Sequence, residues 1–361
     1  MHFGQPSAGA PGAAIAAAHA ALDTDPLGYW ESAALQERIA QHYRQRYGVD
    51  LPPERILLTA GASAALVATF AALFRPGDRV AVVRPGYPAY RNTLSAMGLI
   101  PIEMRCDRDR DFKPSMAMLE RLDPPPLGFV VASPANPTGT MLDRRELAAL
   151  TAGCRQRGIH LISDEIYHGI DYGLRAITAL ESDPDAIVIN SFSKLYRMPG
   201  WRLGWIVVPQ EWVSVISAFL INMFLTPSTL AQHAALAALD EPEDLQRWVQ
   251  IYARNRTHLL AGLKAMGITD VASPDGAIYL YANVGHLTQD SLRFCISALE
   301  ATGVALAPGI DFDPEFGHGF VRFSFAVTPE EIELAVQRLT DWLPSYVEPR
   351  RPSVISVPLC K

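Results

Sequence analysis

Cysteine is scarce in this 361-residue chain, and its four residues are far apart: Cys106, Cys154, Cys295 and Cys360. None of them forms a Cys-x-x-Cys pair, which argues against a metal site or a disulfide framework and fits a reducing compartment. We therefore expect no metal. The chain also contains no apolar run of membrane-spanning length, so no membrane segment is expected.

Positive charge is limited too. The chain has 31 Lys and Arg against 38 Asp and Glu, a formal net charge of −7, and no basic cluster that would follow a nucleic-acid backbone. An Ala-rich stretch at 11–22 has the apolarity of a signal peptide, but no Lys or Arg precedes it, and Asp23 and Asp25 follow. We predict a helix there, with Pro11 near its first turn, and a cytoplasmic protein.

Short apolar runs alternate with helical patterns up to about residue 210. The runs occupy residues 56–58, 79–83, 128–133, 159–163, 186–190 and 203–208, and the helical patterns 62–74, 88–97 and 143–157. Near-continuous apolar strands alternating with helices are typical of a parallel sheet covered on both faces. The pattern predicts an α/β fold with a mostly parallel, doubly wound sheet, which binds ligands beyond the carboxyl ends of its strands.

The pattern changes after Pro227. A long helical tract precedes strands near 278–284 and 320–326, which predicts a smaller α+β domain. We predict the following division: an N-terminal segment joining the small domain (1–30), a large cofactor domain (31–240), the small C-terminal domain (241–347) and a tail outside the fold (348–361).

Several candidate site residues follow the predicted strands. Gly61, Ala62 and Ser63 form a small-residue turn into a helix, where backbone N–H groups can bind an anion, although many such turns bind nothing. Tyr87 lies in a rigid Gly-Tyr-Pro turn and either faces a ligand ring or packs in the core. The chain has neither GxGxxG nor GxxxxGK, so a dinucleotide or a nucleoside triphosphate is not the first choice of ligand.

Three more strand ends carry polar groups. Asn136 begins Asn-Pro-Thr-Gly, which is either a plain turn or an amide directed at a ligand oxygen. Asp164 ends a buried run, where a carboxylate is costly unless paired; an N-cap or a salt bridge is the alternative. Lys194 stands near the end of another run, with Arg202 eight residues later, and a salt-bridged surface lysine is the alternative there.

Together these residue types fit one ligand, a phosphorylated pyridine aldehyde. A lysine can form a Schiff base with the aldehyde. An aspartate can keep the pyridine nitrogen protonated, which makes the ring an electron sink. An arginine can bind the phosphate with two parallel hydrogen bonds.

Three longer motifs then indicate a family. "ASPANPTG", "SDEIY" and "SFSKLYRMPGWRLGW" occur in the order and at the spacing of the fold-type I pyridoxal-phosphate enzymes. Over residues 3–343 the chain resembles the aspartate aminotransferase superfamily, that is, the class I/II aminotransferases. The resemblance implies pyridoxal 5′-phosphate as cofactor and a homodimer with active sites at the subunit interface.

The resemblance also assigns roles. It makes Lys194 the Schiff-base lysine and proton shuttle, Asp164 the partner of the pyridine nitrogen, and Asn136 and Tyr167 donors to the phenolic oxygen of the ring. Tyr87 becomes the ring-stacking aromatic. The implied phosphate-binding residues are Ala62, Ser63, Ser191 and Arg202. Arg322 in "FVRFSFA", the backbone of Gly4, and Asn136 are implied to bind the substrate, and Tyr29 to reach the neighbouring subunit's phosphate.

Departures from the family pattern accompany these assignments. Gln36 stands where the family often has arginine, and Pro199 replaces a small polar residue. The chain begins almost at "GQPS", where family members carry an arm that often clasps the partner subunit, so we expect an altered dimer contact or altered closure of the site.

The expected activity is transfer of an amino group between an α-amino acid and a 2-oxo acid. A lyase, racemase, decarboxylase or oxidase would use the same residues, and a non-catalytic pyridoxal-phosphate sensor is a third interpretation. Side-chain specificity stays open: Tyr90 and Tyr279 either line the pocket or pack in the core. Arg254, Arg256 and Arg293 are candidates for a second carboxylate by residue type only. His168 is expected to have a supporting or surface role.

Overall fold

A computed structural model describes residues 1–2 and 4–347. The predicted tail, 348–361, therefore lies outside the described residues. Within them, no helix combines the length and apolarity needed to cross a membrane.

The helices and strands follow in chain order. The helices are α1 (Gly12–Thr24), α2 (Ala33–Tyr47), α3 (Ala62–Leu73), α4 (Pro88–Ala96), α5 (Met116–Leu119), α6 (Arg144–Gln156), α7 (Gln210–Phe224), α8 (Thr229–Ala238), α9 (Pro242–Ala265), α10 (Ser291–Thr302) and α11 (Pro329–Trp342). The strands are β1 (Ile56–Thr59), β2 (Arg79–Arg84), β3 (Ile100–Arg105), β4 (Gly128–Ala132), β5 (His160–Asp164), β6 (Ile187–Ser191), β7 (Gly204–Val207), β8 (Tyr279–Asn283), β9 (Ala307–Pro308) and β10 (Phe320–Ser324).

A seven-stranded sheet forms the centre of the larger part of the molecule. Its strand order is β1-β7-β6-β5-β4-β2-β3. The strands pair in parallel from β3 to β6, and only β7 runs antiparallel to its neighbours β6 and β1. Apolar side chains lie on both faces of this sheet, in two separate core clusters. The predicted mostly parallel α/β fold is confirmed.

A three-stranded antiparallel sheet, β8-β10-β9, forms the second part. Its apolar side chains share a core cluster with residues of α9, α10 and α11. Helix α11 begins with a capping box, in which Thr328 and Glu331 satisfy each other's backbone N–H groups. This sheet places Arg322, on β10, opposite the carboxyl ends of the parallel strands.

The first residues of the chain divide between the two parts. The Met1 carbonyl accepts a hydrogen bond from the Ser324 backbone N–H, and the Ser7 N–H donates to the Ala326 carbonyl. Helix α1, in contrast, packs against α8, and Ala14 and Ala18 are buried in the core of the large part. The predicted domain limits stay a prediction; this packing argues for ending the small-domain segment before α1.

Local sequence explains the start, the buried face and the end of helix α2, which packs in the core of the large part. The Ser32 side chain accepts a hydrogen bond from the Leu35 N–H at its start. Its buried residues recur at helical spacing, namely Leu35, Ile39, Tyr43 and Tyr47. Gly48, with φ of 70°, ends it in the left-handed conformation that glycine tolerates.

Candidate active site

Most of the predicted site residues line one cavity of about 570 Å³, located between the parallel sheet and the small sheet. Those lining it are Gly4, Ala62, Ser63, Tyr87, Asn136, Asp164, Tyr167, Lys194 and Arg322. Asn136, Asp164 and Lys194 follow or end the adjacent strands β4, β5 and β6, whose carboxyl ends share one sheet edge. Parallel pairing therefore brings residues that are far apart in sequence into one site.

Lys194 lies in the turn after β6, with its side chain partly buried. Its Nζ donates a hydrogen bond to the Gly4 carbonyl and lies 5.9 Å from the centre of the Tyr167 ring. Burial and the nearby Arg322 guanidinium lower the pKa of Lys194 to about 8, although Asp164 acts in the opposite direction. A substantial fraction of this amine is thus neutral at mildly alkaline pH.

Asp164 ends β5 and is buried. Its Oδ2 accepts a hydrogen bond of 2.5 Å from the Tyr90 hydroxyl, and its Oδ1 accepts one of 3.1 Å from the Ile166 N–H. Burial raises the pKa of Asp164, and the Tyr90 hydrogen bond opposes this. No Lys or Arg among residues 1–2 and 4–347 forms an ion pair with it. This carboxylate is therefore suited to a cationic group on a ligand.

Two tyrosines, Tyr167 and Tyr279, also line the cavity. The hydroxyl oxygens of Tyr167 and Tyr279 lie 2.7 Å apart and share a hydrogen bond. The Tyr279 ring also lies against the Arg322 guanidinium, 4.3 Å from its Cζ atom. Tyr279, whose role was open in the sequence, thus supports both Tyr167 and Arg322.

Arg322 is buried, and one of its three guanidinium nitrogens has no hydrogen-bond partner among the described residues. Its Nη1 donates to the Asn136 Oδ1 at 2.9 Å, and its Nη2 donates to the His2 carbonyl at 2.6 Å. Its Nε is buried without a hydrogen-bond partner among the described residues. A buried guanidinium with an unmet donor is suited to a carboxylate, which accepts two parallel hydrogen bonds. Because the Asn136 oxygen is engaged, its NH2 group remains to donate to a ligand.

The predicted phosphate-binding residues gather around the start of α3. In the described structure no side chain caps this helix at Gly61, so its first N–H groups have no side-chain partner. A Cβ on Gly61 would lie only 2.9 Å from the Cζ of Arg202. Ser191 is buried beside β7, and its Oγ donates to the Leu203 carbonyl at 3.0 Å. An uncapped helix start beside an arginine is a suitable anion site.

The structure does not bring Tyr29 to this cavity. Its side chain is 81% exposed on the single chain, so a role at a neighbouring subunit's site stays a prediction. Gln36 has a structural use, because its Nε2 donates to the Ile56 carbonyl at 2.7 Å. Arg254, Arg256 and Arg293 do not line the cavity.

Other residues of the site were missed or left open in the sequence. Tyr90 holds Asp164, and Ile310 and Phe312 line the cavity from the segment after β9. His168 is buried behind the site: its Nε2 lies 2.9 Å from the Ser133 carbonyl, and its Nδ1 lies 2.9 Å from the Tyr47 hydroxyl. Burial lowers its pKa to about 3, so it is a neutral support of the turn before Asn136.

Known proteins share this architecture. Residues 8–339 match the family described as aminotransferase class I and II. The chain is 45% identical over 352 residues to a valine–pyruvate aminotransferase from Mycobacterium tuberculosis, which covers 96% of this chain and 91% of the relative. A crystal structure of an aminotransferase from Mycobacterium tuberculosis has a TM-score of 0.93 and 45% identity, covering 95% of this chain and 91% of that one.

A more distant solved structure, an aspartate aminotransferase tetra mutant from Thermus thermophilus, has a TM-score of 0.88 and 30% identity, covering 94% of this chain and 95% of that one. The predicted superfamily and the predicted aminotransferase activity are confirmed by these matches. The chain belongs to the class I and II aminotransferase family.

Proposed function

We propose that this aminotransferase binds pyridoxal 5′-phosphate in the described cavity and transfers the amino group of neutral, aliphatic amino acids to a 2-oxo acid. The observation that carries the proposal is Lys194, an amine with a lowered pKa that shares one cavity with the Asp164 carboxylate and the Arg322 guanidinium. Amine, carboxylate and guanidinium are the groups needed to hold the cofactor and an amino acid together.

The chain's residues fit the cofactor. Asp164, which has no Lys or Arg partner in the described part of the chain, suits a protonated ring nitrogen. The uncapped start of α3, with Arg202 beside Gly61, suits a phosphate. Tyr87, 40% exposed at the cavity wall, suits the face of a ring. When bound, the cofactor supplies an electron-withdrawing ring that stabilises negative charge at the substrate Cα.

Lys194 is the proposed acid–base group. In its neutral form it takes the proton from the substrate Cα, and as ammonium it returns a proton on the product side. A pKa of about 8 makes both forms available near neutral to mildly alkaline pH. Tyr167, whose ring lies 5.9 Å from Nζ, limits the space around the amine.

Arg322 is the proposed carboxylate anchor. Its Nε is available, and its Nη2 exchanges the His2 carbonyl for a substrate oxygen, which gains a charge-assisted pair. Tyr279 and Phe312, 4.3 and 4.6 Å from the guanidinium carbon, fix its plane. Fixing the carboxylate in this way orients the Cα–H bond toward Lys194.

The cavity wall supports a neutral, aliphatic side chain. Leu66, Ile310 and Phe312 give it apolar surface. The other lining guanidinium, Arg91, lies 3.9 Å from the Glu103 carboxylate, which offsets its charge, and donates to the Asp311 carbonyl at 2.9 Å. The Asp311 side chain adds negative charge at the wall. A second substrate carboxylate would meet repulsion there. The relative named valine–pyruvate aminotransferase agrees with this substrate class.

Homodimer formation is also proposed. Tyr29 and Trp30 are exposed, as are Ile221, Met223 and Leu225 at the end of α7. The Thr229 Oγ1, four residues after Leu225, donates to the Gly28 carbonyl, so the chain just beyond α7 contacts the segment that carries Tyr29. Exposed apolar side chains of this kind are typical of an interface between subunits. A second copy of the chain covering this surface would bring Tyr29 of one subunit toward the cavity of the other, as the family resemblance implies.

The test is a panel of amino donors with pyruvate as acceptor. We expect L-valine to give alanine with a kcat/KM at least tenfold above that of L-aspartate, because only the latter brings a second carboxylate to the wall. Equal or better turnover of aspartate would contradict the substrate class. Release of ammonia without formation of alanine would contradict transamination.

A further inference from the structure

Arg197 has an unusual backbone conformation close to the active-site lysine. It lies three residues after Lys194 and has φ of 56°, in the left-handed region that a residue with a Cβ rarely adopts. Its N–H donates to the Lys194 carbonyl at 3.1 Å, which closes the turn that carries the lysine. Such a conformation persists only where surrounding contacts hold it in place.

The Arg197 side chain supplies those contacts. It is only 3% exposed, and its Nε donates to the Gly9 carbonyl at 3.0 Å. Its Nη2 pairs with the carboxylate of Asp244, in the first turn of α9, and its guanidinium carbon lies 5.3 Å from the centre of the Trp248 ring. One buried guanidinium thus joins the lysine turn, the N-terminal segment and the small-domain helix.

These contacts close a ring around the lysine. Gly9 is bound to Arg197, Arg197 closes the turn at Lys194, and the Lys194 amine binds the carbonyl of Gly4. Residues 4–9 therefore contact the lysine turn at both ends. The Ser7 N–H, which donates to the Ala326 carbonyl, also holds this segment, so loss of the Gly9 contact would loosen it at its Gly9 end.

We propose that Arg197 is a positioning residue that holds residues 4–9 over Lys194 and thereby keeps water away from its amine. The proposal rests on the proposed role of Lys194 as the acid–base group. Arg197 itself touches neither the cavity nor its proposed ligands.

The expected consequence concerns the protonation of Lys194. Burial is the main cause of its lowered pKa; Arg322 and Arg202 also lower it, and Asp164 raises it. Arg197 bonds Gly9 and Asp244 rather than any of those three charged groups, so we expect them to stay in place when its side chain is removed. Water reaching the amine would then raise the pKa of Lys194 from about 8 toward the ordinary value of a lysine.

The experiment measures this pKa without cofactor or substrate. Cofactor-free protein is acetylated briefly with acetic anhydride across a range of pH, and modification of the peptide that carries Lys194 is quantified by mass spectrometry. We expect R197A to shift the midpoint upward by about one unit or more. R247A is the matched control, because Arg247 also pairs with Asp244 but is exposed; it should keep the wild-type midpoint.

A second variant covers the case in which R197A does not fold. R197K keeps a cation for Asp244. A lysine has a single ammonium group, which cannot make the Gly9 and Asp244 contacts that the guanidinium makes through two different nitrogens. We expect R197K to raise the midpoint too, and hydrogen exchange in residues 5–10 to become faster. A wild-type midpoint in folded R197A or R197K would overturn the proposal.

The labelling result separates this inference from the proposed function. A raised Lys194 midpoint in R197A would stand even if the donor panel showed no transamination. Conversely, if the wild type transaminates valine and the Lys194 midpoint is unchanged in R197A, only the role given to Arg197 would be overturned.

Discussion

Replacing Tyr90 by phenylalanine tests how the site keeps Asp164 ionised. The Tyr90 hydroxyl donates to Asp164 at 2.5 Å, and both side chains are buried. A hydrogen bond to a charged group contributes about 1.5–3 kcal/mol. Y90F should therefore cost the ionised form of Asp164 about 1.5–3 kcal/mol and raise its pKa further than burial already does.

The sign of the effect on activity follows from the charge. Below its pKa the Asp164 carboxyl is neutral and no longer pairs with a protonated ring nitrogen, so cofactor affinity falls. Raising that pKa moves the acid limb of the pH profile to higher pH.

The assay is a cofactor titration by absorbance at a series of pH values, with kcat/KM measured on the same samples. Y252F is a suitable control, because the buried Tyr252 hydroxyl has no hydrogen-bond partner within the described part of the chain. We expect Y252F to keep the wild-type profile. An acid limb in Y90F that coincides with the wild-type limb would refute the reasoning.

Three further predictions concern other groups. R322K should weaken binding of the transition state by about 2–5 kcal/mol and so lower kcat/KM for every amino donor, because lysine cannot donate two parallel hydrogen bonds to a carboxylate; steady-state kinetics measure this. G61A should weaken cofactor binding and lower stability by about 1–3 kcal/mol, because a Cβ meets Arg202 and φ is +79°; titration and thermal melts measure both. The free energy of unfolding of the wild type should fall between about pH 4.5 and pH 8, and this fall should be absent in E165Q; urea unfolding at several pH values measures it.

The pH prediction for Glu165 follows from its surroundings. Burial raises its pKa to about 8, above the unfolded value of 4.5. The folded protein thus binds an extra proton in that interval, and stability falls as pH rises, by up to about 1.4 kcal/mol per pH unit. Its Oε1 accepts hydrogen bonds from Ser163, Thr178 and Ala179, which a glutamine carbonyl can also accept. A pH profile of stability identical in E165Q and wild type would contradict a neutral Glu165.

The controls for the other two variants are equally specific. R338K changes an exposed arginine that hydrogen-bonds the Thr302 carbonyl, and it should leave kcat/KM unchanged. G200A places a methyl group in open space and should leave both stability and cofactor affinity near wild type. Unchanged kcat/KM in R322K, or wild-type cofactor affinity in G61A, would contradict the assigned contacts.

The strand pattern was sufficient to predict much of the site. Asn136, Asp164 and Lys194 follow or end apolar runs that pair in parallel, and parallel pairing puts their carboxyl ends on one edge of the sheet. Each of these residues alone has a structural alternative, a turn for Asn136 and an N-cap or salt bridge for Asp164, so their occurrence on one edge is what indicates binding. Their grouping in one cavity agrees with that prediction, while their individual roles stay predictions.

Partners distant in sequence could not be predicted in the same way. Tyr90 was compatible with the pocket or with the core, and its contact with Asp164 spans 74 residues of sequence. The direction of the Tyr90 hydroxyl depends on how α4 packs against the sheet. Such packing is set by tertiary contacts that no local pattern of residues encodes.

The sequence also does not predict the backbone conformation of Arg197 or the packing of α1. An arginine with positive φ, as at Arg197, has no signal in composition, because glycine and asparagine are the residues that usually mark this conformation. The Ala-rich sequence of α1 has small residues on every face, so it does not indicate that Ala14 and Ala18 face α8. Tyr29 lies outside the cavity of one chain, and only an assembly of two chains can test its role.

The most direct test of the central claim is exchange of the Cα hydrogen of L-valine with solvent deuterium, followed by mass spectrometry in the cofactor-loaded protein without an acceptor. K264A, which changes an exposed lysine near the end of α9, is the control. If Lys194 moves the Cα proton, wild type and K264A will exchange it, and K194A will lose at least a thousandfold in rate. Exchange by K194A at a rate near that of wild type would contradict the account.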